Sequence, residues 1–84
     1  MARYKRKRPK KLGEKMRQVR LWLEMTQEEI AEKIGTDSGS ISRFERGERD
    51  PSLLEILAFS QWTGVGLELL LDDRLSLPKK RQRS

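Results

Sequence analysis

Apolar residues recur at helical spacing from residue 12 onward. The first such set, at steps of four, three and four, is Leu12, Met16, Val19 and Leu23. Steps of this kind place apolar side chains along one face of a helix. We therefore predict a first helix that begins at Leu12 and runs for roughly 12 to 14 residues.

A capping box marks the start of the second helix. Thr26 and Glu29 are three residues apart, so the side chain of each can accept a hydrogen bond from the backbone N–H of the other. This spacing predicts a helix that begins at Gln27. Gly35 follows the last apolar positions, where helices commonly end in the left-handed conformation.

A third short helix follows almost at once. Asp37 is a suitable N-cap, and Gly47 lies where the helix can end. Ile41 and Phe44, three residues apart, give it one apolar face. Because helices this short are not stable alone, the second and third must pack together. Two such helices joined by a tight turn are typical of a DNA-binding helix-turn-helix.

The fourth helix has two possible starts. Asp50 can cap it with Pro51 in the first helical position, or Ser52 can form a second capping box with Glu55. We favour the second start, and we expect Gly64 to end the helix. The predicted inward positions of this helix are Leu53, Ile56, Leu57 and Ser60.

A last short helix is predicted over about residues 67–72, with apolar positions at Leu67, Leu70 and Leu71. No segment alternates between apolar and polar residues with a period of two, so we expect no β-sheet. The predicted fold is therefore all-α, a compact bundle of five helices.

Composition excludes several kinds of site. The 84 residues include no cysteine and no histidine, which excludes a disulfide framework and removes the commonest metal ligand and general base. We expect the protein to bind no cofactor and no metal. We also expect that it is not an enzyme, because nothing in the sequence assembles a nucleophile, a base and an oxyanion site. No apolar run approaches the roughly 18 residues that span a membrane. We therefore expect a small cytoplasmic, nucleoid-associated protein without a membrane partner.

The net charge of +6 is unevenly distributed. Residues 3–11 contain seven lysines and arginines and no acid, and residues 78–84 contain four lysines and arginines. Residues 12–77 contain eight basic and thirteen acidic residues, so the central part is acidic. Blocks of positive charge are often disordered and commonly contact nucleic acid.

These charge blocks divide the chain into three predicted parts. They are a flexible basic arm over residues 1–10, a helix-turn-helix domain over residues 11–74 and a flexible basic tail over residues 75–84. The cations of the arm are Arg3, Lys5, Arg6, Lys7 and Arg8. We expect the arm to contact the DNA backbone or the minor groove.

A series of spaced residues carries a resemblance to a known family. They are Arg20, Thr26-Gln27-Glu28-Glu29-Ile30-Ala31, Gly35, Ile41-Ser42-Arg43, Glu45-Arg46-Gly47, Pro51-Ser52-Leu53 and Gly64-Val65. Over residues 12–72 the chain resembles the Cro/Xre phage-repressor family of helix-turn-helix proteins. The resemblance implies a lambda-repressor-like five-helix fold whose third helix, about residues 38–46, enters the major groove of double-stranded DNA. It also implies a homodimer bound to a palindromic operator.

The resemblance further implies roles for individual residues. The expected base contacts are Ser38, Gly39, Ser40 and Arg43, on a face that also includes Asp37. The expected backbone contacts are Thr26, Gln27, Arg46 and Arg49. Arg20 and Glu45 match an ion pair between the first and third helices. Because Arg43 is the only long donor on the reading face, it is the residue suited to a bidentate contact with guanine.

Two functions are consistent with these features. The first is a sequence-specific transcriptional regulator, a repressor, that binds DNA. The second is an antitoxin or other interaction protein that uses the same fold to bind a protein partner and autoregulate. It rests on Leu54, Ala58 and Trp62, which recur every fourth residue beside the core stripe. Those three residues form either ordinary core packing or a partner surface. General nucleic-acid binding through the tails is a third possibility.

Overall fold

The computed structural model describes residues 9–78. Five helices follow in order: α1 (Leu12–Trp22), α2 (Gln27–Ile34), α3 (Ser38–Glu45), α4 (Leu53–Thr63) and α5 (Leu67–Leu71). Residues 9–78 contain no β-strand, so the predicted all-α five-helix fold is confirmed. The arm cations Arg3 to Arg8 and the basic cluster of residues 79–84 lie outside the described residues.

The predicted capping boxes start α2 and α4. At α2 the Thr26 hydroxyl accepts from the Glu29 N–H at 3.0 Å, and the Glu29 carboxylate accepts from the Thr26 N–H at 2.8 Å. Ser52 and Glu55 make the same reciprocal pair at α4, with distances of 3.1 and 2.8 Å. Of the two possible starts of α4, the one at Ser52 is therefore correct. Local hydrogen bonding sets both helix starts.

The first helix ends earlier than its apolar spacing predicts. It has 11 residues, and Leu23 lies beyond its end with 41% of its surface exposed. Glu24 takes a left-handed conformation with φ of 57°, and the Met25 N–H donates to the Arg20 carbonyl at 3.2 Å. This turn closes the helix before a fourth apolar position can join the buried face.

The buried side chains form one core to which every helix contributes. They are Leu12, Met16, Val19, Ile30, Ala31, Ile34, Ile41, Phe44, Ile56, Phe59 and Leu70. On α4 the inward positions are Ile56 and Phe59, whereas Leu53 is 72% exposed, so the prediction of an inward Leu53 is wrong. At 3.6 residues per turn, Leu53 is rotated by about 90° from the midpoint of those two residues.

Candidate nucleic-acid interface

The inner side of α3 is attached to α1 and α2 by a buried polar network. The Glu45 carboxylate accepts from Arg20 Nε at 2.7 Å and Arg20 Nη2 at 3.0 Å, and from Gln27 Nε2 at 3.0 Å. Arg20 Nη1 also donates to the Met25 carbonyl at 2.8 Å. The side chains of Arg20 and Glu45 are only 11% and 4% exposed. These bonds fix the angle between α3 and the other two helices of the motif.

A close backbone contact adds to this attachment. A Cβ atom built at Gly13 would lie 2.2 Å from the Phe44 carbonyl oxygen, well inside van der Waals contact. The first turn of α1 therefore packs directly on the last turn of α3. The spacing of apolar residues along the sequence did not predict this contact. A glycine inside a predicted helix was the available signal, because such a glycine often marks a packing requirement.

The outer side of α3 carries only small residues at its start. Asp37 caps the helix, and its carboxylate accepts from the Ser40 N–H at 2.8 Å. That hydrogen bond, with a smaller contribution from the charges of Arg43 and Arg49, holds the pKa of Asp37 below its usual value. Gly39 is exposed and Ser38 is partly exposed. The start of α3 therefore presents backbone and small side chains.

Ser40 does not share this outer side. It is only 5% exposed, and its hydroxyl accepts a hydrogen bond from Arg49 Nη1 at 2.8 Å. The Arg49 guanidinium also lies over the Phe44 ring, 5.1 Å from the ring centroid. The burial of Ser40 argues against the predicted base contact, because its hydroxyl is hydrogen-bonded to Arg49 within the fold. Its role here is to hold Arg49 against the flank of α3.

The two arginines toward the end of α3 differ in their partners. Arg46 donates through Nε and Nη2 to the Glu48 carboxylate at 3.0 and 3.1 Å, and through Nη1 to the Ser42 hydroxyl at 2.6 Å. The hydrogen bonds with Glu48 raise the pKa of Arg46 and lower the pKa of Glu48. The side chain of Arg43 is exposed and makes no hydrogen bond or salt bridge with any residue between 9 and 78. Its guanidinium keeps all its donors available.

Two further predicted backbone contacts lie at the start of α2. Thr26 is exposed at the N-cap, and Gln27 occupies the first helical position. The first N–H groups of a helix point outward and bind phosphate well. The Gln27 amide already contacts Glu45, so one side chain bridges this helix start and α3.

The three residues of the predicted partner surface differ in their exposure and in what surrounds them. Leu54 is 75% exposed, Ala58 packs against the core, and Trp62 is 43% exposed with Lys33 Nζ 5.6 Å from its ring centroid. The neighbouring Leu53 is 72% exposed. The exposed apolar surface of α4 is therefore concentrated at its first turn.

None of the helices in the described part of the chain is long and apolar enough to cross a membrane. Between residues 9 and 78 no group of three or more acidic side chains is placed to hold a metal ion.

Comparison with known proteins gives a consistent result. A family model described as helix-turn-helix matches residues 16–70. The P22 c2 repressor protein, solved in complex with synthetic operator 9T in the presence of Tl⁺, is 29% identical to this chain with a TM-score of 0.71. That match covers 74% of this chain and 94% of the repressor chain.

A second solved structure, a complex of SinR protein with SinI protein, is 28% identical with a TM-score of 0.69. It covers 75% of this chain, which in turn spans 62% of the matched chain. A comparison with curated proteins finds no match.

Proposed function

Because the chain belongs to the Cro/C1-type helix-turn-helix family of DNA-binding transcription regulators, we propose that it is a repressor that inserts α3 into the major groove of its operator. The observation that carries this proposal is the exposed, unpaired guanidinium of Arg43 on the outer side of α3. A free guanidinium on a helix in the major groove suits a bidentate contact with O6 and N7 of guanine.

Small residues beside Arg43 let the helix approach the bases closely. Ser38 can donate to or accept from several bases, and Gly39 has no side chain to hold the backbone away from the groove. Because few groups on this surface discriminate between bases, part of the sequence preference would come from DNA shape and deformability. Ser40 contributes indirectly in this proposal, by orienting Arg49.

Contacts with phosphate would position α3 in the groove. Thr26 and Gln27 would place the start of α2 against one strand, while Arg46 and Arg49 would contact the backbone beside α3. Arg46 would then exchange its Glu48 partner for a phosphate. Support for DNA as the ligand comes from the 29% identical P22 c2 repressor, which was solved with a synthetic operator.

We further propose that the protein binds as a homodimer on a palindromic operator, within the nucleoid. A gel-shift selection from random duplexes tests this directly. The expected result is a pair of inverted half-sites whose centres are about one helical turn, roughly 34–36 Å, apart. Equal retention of unrelated sequences would instead favour general binding through the basic segments.

The basic arm would add affinity without adding sequence preference. Residues 12–77 contain more acidic than basic residues, so the cations Arg3, Lys5, Arg6, Lys7 and Arg8 would supply much of the attraction to phosphate. Deleting residues 1–8 should weaken binding to all duplexes alike. Each lost phosphate contact should reduce the slope of log K against log salt concentration by about 0.9. An unchanged slope would contradict a DNA role for the arm.

A second candidate function is an antitoxin or other interaction protein. The observation that favours it is the exposed apolar pair Leu53 and Leu54, at 72% and 75% exposure, because exposed apolar clusters often mark partner surfaces. The 28% identical SinR protein was solved with a second protein, SinI.

Co-expression with the product of the adjacent gene tests this function. Copurification that is lost in Leu54→Ser and retained in Leu71→Ser would support it, since Leu71 is also exposed but lies on α5. If neither substitution affects copurification, or no complex forms, the DNA-binding function stands alone.

A further inference from the structure

A groove lies between the start of α1 and the end of α3. It has a volume of about 310 Å³. The backbone contact between Gly13 and the Phe44 carbonyl joins its two sides. Pro9, Lys10 and Leu12 line one side, and Phe44, Arg49 and Pro51 line the other. We name this cavity the α1–α3 groove. Its walls combine apolar side chains with two cations.

The first of these cations is fixed on the α3 side. The Arg49 guanidinium lies over the Phe44 ring, 5.1 Å from the ring centroid, and its Nη1 donates to the Ser40 hydroxyl at 2.8 Å. A guanidinium carries several N–H donors in one plane, and this hydrogen bond occupies only one nitrogen. The remaining donors keep the planar arrangement that suits a phosphate group.

The second cation projects from a backbone that is also fixed. The N–H groups of Lys10 and Lys11 donate to the Asp73 carboxylate at 2.9 and 3.0 Å, which ties the start of α1 to the turn after α5. The Lys10 ammonium makes no hydrogen bond or salt bridge with another residue between 9 and 78. It is therefore available to a ligand, although its backbone is not free to move.

A buried lysine strengthens the same connection from the opposite direction. Lys15 is 5% exposed, and its ammonium donates to the carbonyls of Leu69 at 2.7 Å, Asp72 at 3.0 Å and Leu75 at 2.7 Å. These carbonyls belong to the end of α5 and to the turn after it, where a cation also favours the helix dipole. The turn that carries Asp73 is therefore itself held against α1.

The charges of the groove favour a single anionic group. Asp50 also lines it, so the ionised side chains of Lys10, Arg49 and Asp50 leave one positive charge in excess. One phosphodiester group neutralises that excess. Apolar walls strengthen the attraction, because a cleft of low dielectric focuses the field of its charges. Since Asp73 already occupies the N–H groups of Lys10 and Lys11, an anion in the groove would be held by side chains.

The groove adjoins the helix that the proposed function places in the major groove of DNA. Phe44 belongs to the last turn of α3, and Arg49 lies in the loop that follows. The sugar-phosphate backbone borders the major groove, so an inserted α3 has phosphate groups beside it.

We propose that the α1–α3 groove seats one phosphate group of the operator between Lys10 and Arg49. The inference rests on the proposed DNA-binding function. It adds Lys10 to the backbone contacts and makes it act on the same phosphate as Arg49.

Two adjacent lysines provide a matched test. Lys10→Ala and Lys11→Ala each remove one positive charge at the start of α1, but only Lys10 lines the groove. Lys11 is the N-cap residue of α1, and its side chain makes no capping hydrogen bond. Both variants keep the backbone N–H groups that bond to Asp73, so circular dichroism melts should match that of the parent chain.

The measurement is the affinity of the full chain for a selected operator duplex in which one linkage at a time is a methylphosphonate. That replacement removes the charge of a single phosphate group. At the linkage seated in the groove it should weaken binding of the parent chain and of Lys11→Ala by about tenfold, because a hydrogen-bonded charge is lost. Lys10→Ala should be weakened much less at that linkage and equally at the others.

Arg49→Ala should lose sensitivity at the same linkage as Lys10→Ala. Because the two cations contact one phosphate, the double variant should reduce the slope of log K against log salt concentration by about 0.9 per protomer, not by twice that amount. Arg49→Gln, whose stem can still cover the Phe44 ring, replaces Arg49→Ala if the latter melts below the measuring temperature.

The possible outcomes separate this inference from the proposed function. Equal sensitivity of Lys10→Ala and Lys11→Ala at every linkage would overturn the inference while leaving the proposed function intact. Loss of sensitivity at different linkages in Lys10→Ala and Arg49→Ala would also overturn it, since the cations would then contact separate phosphates. Failure of the parent chain to bind any duplex would overturn both.

Discussion

The two sides of α3 differ in almost every physical respect. The inner side carries a buried ion pair between Glu45 and Arg20 and a backbone contact at Gly13. The outer side carries small residues and the unpaired Arg43. An eight-residue helix has little stability of its own, so its position depends on the inner contacts. Those contacts leave the outer side free of packing requirements, as the proposed role in DNA recognition needs.

This division makes stability and recognition separable. Changes to the inner side should lower the free energy of unfolding, and changes to the outer side should alter binding of a folded protein. Variants on the two sides therefore test whether the division holds.

The largest effect is expected at Glu45. Glu45→Ala leaves the Arg20 guanidinium buried without its carboxylate partner, and removing one member of a buried pair costs about 3–5 kcal/mol. Because the Arg20 side chain retains 11% exposure, we expect a loss near the lower end, about 3 kcal/mol, in urea unfolding. Glu48→Ala is the control, since Glu48 pairs with Arg46 on the surface. Similar losses in the two variants would mean that the inner network contributes little.

A smaller loss is expected at Gly13. Gly13→Ala should destabilise the fold by about 1–3 kcal/mol, because the added Cβ would overlap the Phe44 carbonyl and neither backbone can move freely. Gly39→Ala is the matched control, because Gly39 is likewise the second residue of its helix and a Cβ there meets only Asp37 Oδ1, at 3.3 Å. Alanine at that position should be neutral or stabilising, by up to about 1 kcal/mol. Thermal melts that move in the same direction for both variants would contradict the close contact.

On the outer side, Arg43→Ala should leave unfolding unchanged and reduce affinity for the selected operator. Loss of one bidentate base contact costs about 1–3 kcal/mol of discrimination. Affinity for a scrambled duplex should change much less. Equal weakening on both duplexes, measured by fluorescence anisotropy, would identify Arg43 as a phosphate contact.

The smallest effect is expected at Glu48. Glu48→Gln removes the charge that pairs with Arg46, so Arg46 becomes available to phosphate. Binding to all duplexes should tighten slightly more than in a control of equal charge, because Arg46 no longer has to leave its Glu48 partner before it contacts phosphate. Glu68→Gln, an exposed change on α5, is the control for net charge. Equal tightening in the two variants would contradict a phosphate contact by Arg46.

Local chemistry made much of the fold predictable. The capping pairs at Thr26 and Ser52 and the glycine ends at Gly35 and Gly64 depend on residues within one turn, and each lies where its spacing predicts. All four features can be identified from neighbouring residues without knowing which helices touch.

Long-range contacts were not predictable in this way. Lys15 and Asp73 carry charges that usually face water, and only the meeting of α1 with the end of α5 explains their hydrogen bonds. The error at Leu53 and the burial of Ser40 both concern helix phase, which a short segment specifies poorly. Residues on the edge of a short helix become buried or exposed according to the angle at which the helix packs.

The most direct test of the division between the two sides of α3 repeats the duplex selection with Arg43→Ala. We expect the variant to recover half-sites with the parent spacing but to lose the preferred base pair at one position in each half-site. Recovery of the parent consensus without change would contradict the assignment of Arg43 as the main base contact of the outer side.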